Sequence, residues 1–183
     1  MAHKGKEIRN PKTGQTIQFV KTRADTNGRY LELISTYESH SKEPIPHYHP
    51  RQDEYFEVLQ GELSVRLKGK LTTLQPGDTI HIERNTVHSM WNGTAEKTVI
   101  SWKTVPAMDT EYLLELNTGL ANDDKTNADG VPDLLQVALM MNHYDHVFRV
   151  AKPPFFVQKV IFGILTPFAR LLGYKSYYQK YID

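Results

Sequence analysis

From Thr16 to about Val105 the apolar residues recur mostly at every second position, in short runs parted by glycine, proline and charged residues. That period places alternate side chains on opposite faces of a strand. Strands are predicted at Thr16–Thr22, Tyr30–Tyr37, Glu54–Leu59, Glu62–Lys68, Leu71–Leu74, Thr79–Glu83, His88–Trp91 and Thr98–Val105. The turns between them are legible too. Leu59-Gln60-Gly61-Glu62 and Lys68-Gly69-Lys70 read as hairpin connections, and Gln75-Pro76-Gly77-Asp78 puts proline and glycine where a tight turn needs them. So many short strands predict an all-β sandwich or barrel, and a jelly-roll barrel in particular.

Beyond Pro106 the period changes. Thr110–Leu120 and Pro132–Val147 carry apolar residues at three-to-four spacing, which predicts two helices, with Asp109 or Thr110 and Pro132 as starts. The expected organisation is a β-domain over 1–106 and a helical extension over 107–183 that is not an independent domain. Between the helices, Ala121–Val131 is polar and ends near Asp-Gly. Aligned on Gly130 as a calcium loop it would put Lys125 at the first ligand position and Gln136 at the last, so a mobile surface loop is the expectation. Pro153–Leu172 is the most apolar stretch. Gly163 and Pro167 interrupt its helical pattern, and Lys159 and Arg170 lie within it. It reads as a helix packed against the β-domain or a partner, with membrane contact through Pro153–Leu172 ranked below that and a transmembrane span not expected.

Composition narrows the chemistry. In 183 residues, 22 basic and 21 acidic side chains leave a formal net charge of +1, so no field draws the chain to nucleic acid. There is no cysteine, which excludes thiolate ligands and disulfides, so any metal must take nitrogen and oxygen donors. The polar start, MAHKGKEIRNPKTGQTIQF, lacks the apolar core of a secretion signal, and cytoplasm is the expected location.

The donors are found in HYHPRQDEYFEVLQG, residues 47–61. Side chains at i and i+2 of a strand share a face, so His47 and His49 can meet one ion. A turn or bulge at Pro50–Asp53 resets the alternation and allows Glu54 to point inward, followed by Phe56 and Val58, with Tyr55 and Glu57 outward. His88 is the candidate fourth donor. Three imidazoles and a carboxylate suit one divalent first-row metal, iron, manganese, nickel or zinc, with open positions for water or substrate. Phe56, Met90 and Trp102 are candidate pocket residues, and Gln52 and Asn92 are candidates for orienting the imidazoles. His81 is expected to face outward. His143 and His146, with Asp145, form a weaker candidate cluster, and no residue stands out as a general base.

The run His47-x-His49-x4-Glu54-x6-Gly61 resembles the first motif of the cupins, and Gly77-x10-His88-x3-Asn92 resembles the second. The resemblance covers Thr36–Asn92 as motifs and Thr16–Val105 as a fold. It departs at Ser41, Glu83 and Asn85, where the family usually has glycine, proline and glycine; asparagine tolerates the left-handed conformation best of the three. The resemblance implies a double-stranded β-helix (jelly-roll) barrel of RmlC-like type, metal ligation by His47, His49, Glu54 and His88, and a homodimer. It also implies a small-molecule ligand or substrate, in a dioxygenase- or isomerase-like enzyme or in a non-catalytic binding or sensing module.

Overall fold

The computed structural model describes residues 1–182. It has two antiparallel sheets. One holds six strands in the order β1 (Glu7–Arg9), β2 (Thr16–Lys21), β3 (Leu31–Tyr37), β10 (Thr98–Val105), β5 (Asp53–Gln60), β8 (Thr79–Ile82). The other holds five, β11 (Arg149–Val150), β4 (His47–Tyr48), β9 (His88–Trp91), β6 (Leu63–Leu67) and β7 (Lys70–Leu74). Three helices follow the main run of strands: α1 (Thr110–Asn122), α2 (Leu134–His143) and α3 (Phe155–Leu171).

The period-two pattern becomes a shared core. On β5 the burial alternates so that Glu54, Phe56 and Val58 turn inward while Tyr55 and Glu57 face out. Phe56, Val58, Ile82 and Ile100 of the six-stranded sheet pack against Leu63, Val65 and Met90 of the five-stranded one. Each such buried side chain contributes on the order of 1.5–3 kcal/mol, so the facing sheets are held chiefly by apolar burial. A second cluster, with Phe19, Leu31 and Leu33, lies toward the amino-terminal strands, and Trp102 touches both clusters.

The hairpin at Gly61 needs its glycine. Its φ is 74°, and a Cβ there would lie 2.3 Å from the Lys97 carbonyl oxygen. Asn85 also takes a left-handed φ, 63°, and its N–H bonds to the His49 carbonyl at 2.9 Å. The asparagine therefore does the work expected of a glycine there. Ser41 receives the Asn92 N–H on its Oγ at 2.9 Å.

Two features differ from the sequence reading. The second helix starts at Leu134, one residue after an Asp133 cap that accepts from the Leu135 and Gln136 N–H groups, and it ends at His143 rather than Val147. The helix α3 runs unbroken through Gly163 and Pro167. Proline removes one bond, to the exposed Gly163 carbonyl, where water can replace it, and Thr166 Oγ1 reinforces the preceding turn by donating to the Phe162 carbonyl at 2.6 Å. In the surface loop between α1 and α2 Asp124 pairs with Lys12 at 2.6 Å and Asp129 with Lys42, and Asn127 Oδ1 accepts from the Asp129 and Val131 N–H groups.

The third part of the chain is not only helical. After α2 it returns to the sheets as β11, where Arg149 pairs with Tyr48 and Val150 with His47. Gln158 of α3 donates to the Val150 carbonyl at 2.9 Å, so the last long helix is bonded to that added strand. No helix among the described residues is long and apolar enough to cross a membrane.

Candidate metal centre

The centre lies between the sheets, where β4, only two residues long between Pro46 and Pro50, presents His47 and then His49. Register does the rest. His47 pairs directly with His88 on β9, and the ring centroids of the three imidazoles lie 4.5–5.6 Å apart. One nitrogen from each of His47, His49 and His88 falls within 4.8 Å of the others, an arrangement that can hold a metal ion. Glu54 reaches in from β5 on the opposite sheet. Its Oε2 is 3.0 Å from His88 Nε2 and 3.4 Å from His49 Nε2.

The outer ring nitrogens fix which end of each imidazole faces the centre. Nδ1 of His47 lies 3.0 Å from the Ile45 carbonyl, Nδ1 of His49 2.8 Å from the Val147 carbonyl, and Nδ1 of His88 2.9 Å from the Thr86 carbonyl. A carbonyl only accepts, so each Nδ1 carries the hydrogen and each Nε2 is left for a ligand. Backbone oxygens thus set the tautomer at all three rings, the orienting role that second-layer groups play around metals.

Glu54 supplies the test of fit. It is 2% exposed; its Oε1 accepts from Trp102 Nε1 at 3.1 Å, while among the described residues its Oε2 meets only the imidazoles of His88 and His49. A buried carboxylate oxygen facing imidazole nitrogens needs a cation or a proton between them. Burial resists the charge on Glu54, but His49 and His88 outweigh it and hold the carboxyl down at about 2. Burial likewise opposes charge on His88, yet its contact with Glu54 raises it above the usual imidazole range. Desolvation, with His88 and His49 adding to it, pushes His47 down to about 3, and burial lowers His49 as well. His47 and His49 are therefore neutral donors at ordinary pH, as ligation requires.

The other predicted residues fall in distinct places. Phe56 and Met90 are buried in the core between the sheets; Phe56 stacks on Trp102 at 5.9 Å, and Trp102 touches Glu54. Gln52 is 1% exposed and its amide nitrogen donates to the Pro106 and Ala107 carbonyls and to Thr110 Oγ1, tying the motif to the start of α1. Asn92 bonds the carbonyls of Glu38 and Glu96 and accepts from Thr94, so it braces its own turn and orients none of the three imidazoles. His81 stacks on Tyr55 on the outer face, and His146 pairs with Asp109 at 2.9 Å rather than with Asp145, which takes Lys159.

Sequence reasoning missed Val147, Phe148 and Tyr37. Phe148 stacks on His47 with centroids 4.6 Å apart and meets His49 edge-on at 5.9 Å. Tyr37 packs against the core between the sheets, and burial, with Glu54 adding to it, holds its phenol up at about 12, so the hydroxyl keeps its proton. No short-range pattern marks any of the three.

A family model described as a cupin domain matches residues 33–102. Among curated proteins, quercetin 2,3-dioxygenase of Bacillus subtilis is 31% identical over 75 residues, 41% of this chain and 22% of that protein. An oxidoreductase of Arthrobotrys oligospora is 27% identical over 164 residues, 81% of this chain and 63% of that protein. The chain thus spans less than two thirds of either relative. Among solved structures, an RmlC-like cupin from Shewanella frigidimarina superposes with a TM-score of 0.50 at 18% identity, covering 61% of this chain and 96% of that one, a likeness of fold.

Proposed function

This chain belongs to the cupin superfamily, and from that premise we propose that it is a metal-dependent oxidoreductase acting on a small organic molecule. The two sheets would close as a double-stranded β-helix barrel over residues 1–106, with 107–183 as an extension built onto it. His47, His49 and His88 would hold one divalent transition metal through Nε2, with Glu54 as the anionic donor. The convergence of one nitrogen each from His47, His49 and His88 within 4.8 Å, with the Nδ1 atoms all engaged by carbonyls and the buried Glu54 Oε2 facing the group, carries this reading. The likeness to a dioxygenase and to an oxidoreductase favours oxidation over isomerisation.

When bound, the metal would supply a Lewis-acid centre for a substrate oxygen and, if iron, a redox partner for dioxygen. The chain's own residues do the positioning. Trp102 keeps one carboxylate oxygen of Glu54 engaged, leaving the other for the centre. Phe148 stacks on His47 beside β11.

Elemental analysis of protein purified without added metal, beside a His49→Ala, Glu54→Ala variant, tests the site. One equivalent of iron, manganese, nickel or zinc that is absent in the variant is the expected result, and oxygen uptake on a substrate panel then tests the oxidoreductase. No metal and no uptake of added metal would turn the reading to a metal-free binding module.

A further inference from the structure

The helix α3 is turned the wrong way round for a helix that only packs on its own chain. Its inward side carries Gln158, Phe162, Thr166 and Ala169, two of them polar, whereas Phe156, Val160, Ile164, Phe168 and Leu171 point outward at 58–84% exposure. These outward residues recur at three-to-four spacing and so form one continuous stripe. Leu172, 68% exposed, extends it past the end of the helix. A stripe of this kind on a soluble protein marks an interaction surface.

What surrounds the stripe identifies the occupant. From Ala151 to Ile182 the chain has five basic side chains, Lys152, Lys159, Arg170, Lys175 and Lys180, and no acidic one. Lys152 and Arg170, near the two ends of α3, are exposed and form no ion pair among the described residues. On the helical wheel Lys159 and Arg170 lie on one border of the stripe, between it and the packed side. In an antiparallel pairing of α3 with a second copy about Ile164, Arg170, which has no ion pair among the described residues, would meet Lys159 and no carboxylate of α3, so the helix offers a second copy no charge complement. Lys159 is held by Asp145, and Lys180 by Asp123, which leaves Lys152 and Arg170 as cations without an ion pair at the two ends of the stripe; apolar side chains flanked by such cations are what an anionic lipid surface accepts.

We propose that α3 is an interfacial helix that docks this protein on anionic membrane surfaces, lying in the headgroup plane with Phe156, Val160, Ile164 and Phe168 inserted. It lies on the surface and does not span. Its 17 residues fall short of the ~20 that a crossing needs. Through Gln158 the docked helix remains bonded to β11, and so to the strand that carries His47.

The test is co-sedimentation of the full-length protein with phosphatidylcholine vesicles and with vesicles that contain phosphatidylglycerol. The wild type is expected to pellet with the second and far less with the first. Ile164→Glu with Phe168→Glu should abolish pelleting, while Leu71→Glu, an exposed apolar residue on β7, should leave it unchanged. Replacing Lys152 and Arg170 by Gln should weaken binding roughly fivefold per charge. Far-ultraviolet circular dichroism verifies that each variant is folded. Absence of pelleting with either vesicle, equal pelleting with both, or a solution dimer that the Ile164→Glu, Phe168→Glu change dissociates would each overturn the proposal.

Discussion

His49 donates its Nδ1 hydrogen to the main-chain oxygen of Val147, 98 residues further along, at 2.8 Å. The segment that carries His47 and His49 is therefore oriented by a segment beyond the second helix, and the next residue, Phe148, lies over His47. Removing that ring should loosen His47 and admit water to its side. Phe148→Ala is expected to lower affinity for zinc or cobalt on the order of tenfold, in line with the effect of groups that orient metal ligands. Phe148→Leu, which keeps an apolar cover, should fall between. Competition titration against a chelator measures this, and equal affinities in all three proteins would show that Phe148 is no part of the site.

That dependence explains which parts of the molecule were legible beforehand. His47, His49 and Glu54 could be placed because strand alternation is local, and the reset at Pro50–Asp53 was visible in the proline. Asn85 could be placed because few residues other than glycine and asparagine accept a φ of 63°. The Val147 carbonyl could not, since every residue has one and the sequence carries no sign of which is used. The strand β11 was illegible for a similar reason: two residues have no period, and Arg149–Val150 becomes a strand only because β4 offers an edge to pair with. Asn92 misled because a buried asparagine near a histidine can serve either the ring or its own turn, and only the bonds to Glu38, Thr94 and Glu96 decide. Pro167 misled because its cost is local, one lost bond on an exposed face of α3.

The centre should also shape how the metal-free protein responds to acid. His47 has its folded-state value pushed from 6.5 down to about 3, so between those values the unfolded chain takes up a proton there that the folded chain refuses. Its contribution to stability is present above 6.5 and is lost as pH falls. Glu54, moved from 4.5 to about 2, acts with the same sign and begins below 4.5. His88, whose value is raised, acts oppositely and loses its contribution as pH rises through that value. The melting temperature of metal-free protein should therefore fall on going from pH 6.5 to 4.5, and His47→Gln should make that window shallower, the remainder coming from His49, which burial also lowers, while leaving the steeper fall below 4.5. Scanning calorimetry across the range checks this. A wild-type curve that is flat between 6.5 and 4.5 would contradict the neutral state assigned to His47.

A further expectation concerns the far end of the chain. Gly119 lies within α1, where alanine is favoured over glycine by ~1 kcal/mol when nothing else intervenes. Here something does. A Cβ on Gly119 would lie 2.3 Å from Cγ and 2.4 Å from Cδ1 of Tyr181, whose hydroxyl donates to Asp123 at 2.7 Å beside the contact from Lys180. A packed ring cannot yield by that much, so Gly119→Ala should lift the turn at Gln179–Tyr181 off α1, and with it Ile182, which is 1% exposed. Faster amide exchange confined to about 174–182, with α1 intact, is the expected signature, and the helix gain offsets part of the loss in global stability. On a Tyr181→Ala background the clash is gone, and the same substitution should stabilise by roughly the full helix preference. A Gly119→Ala variant that is already more stable than the parent, with unchanged exchange at the carboxyl end, would mean that Tyr181 does not rest on Gly119 in solution.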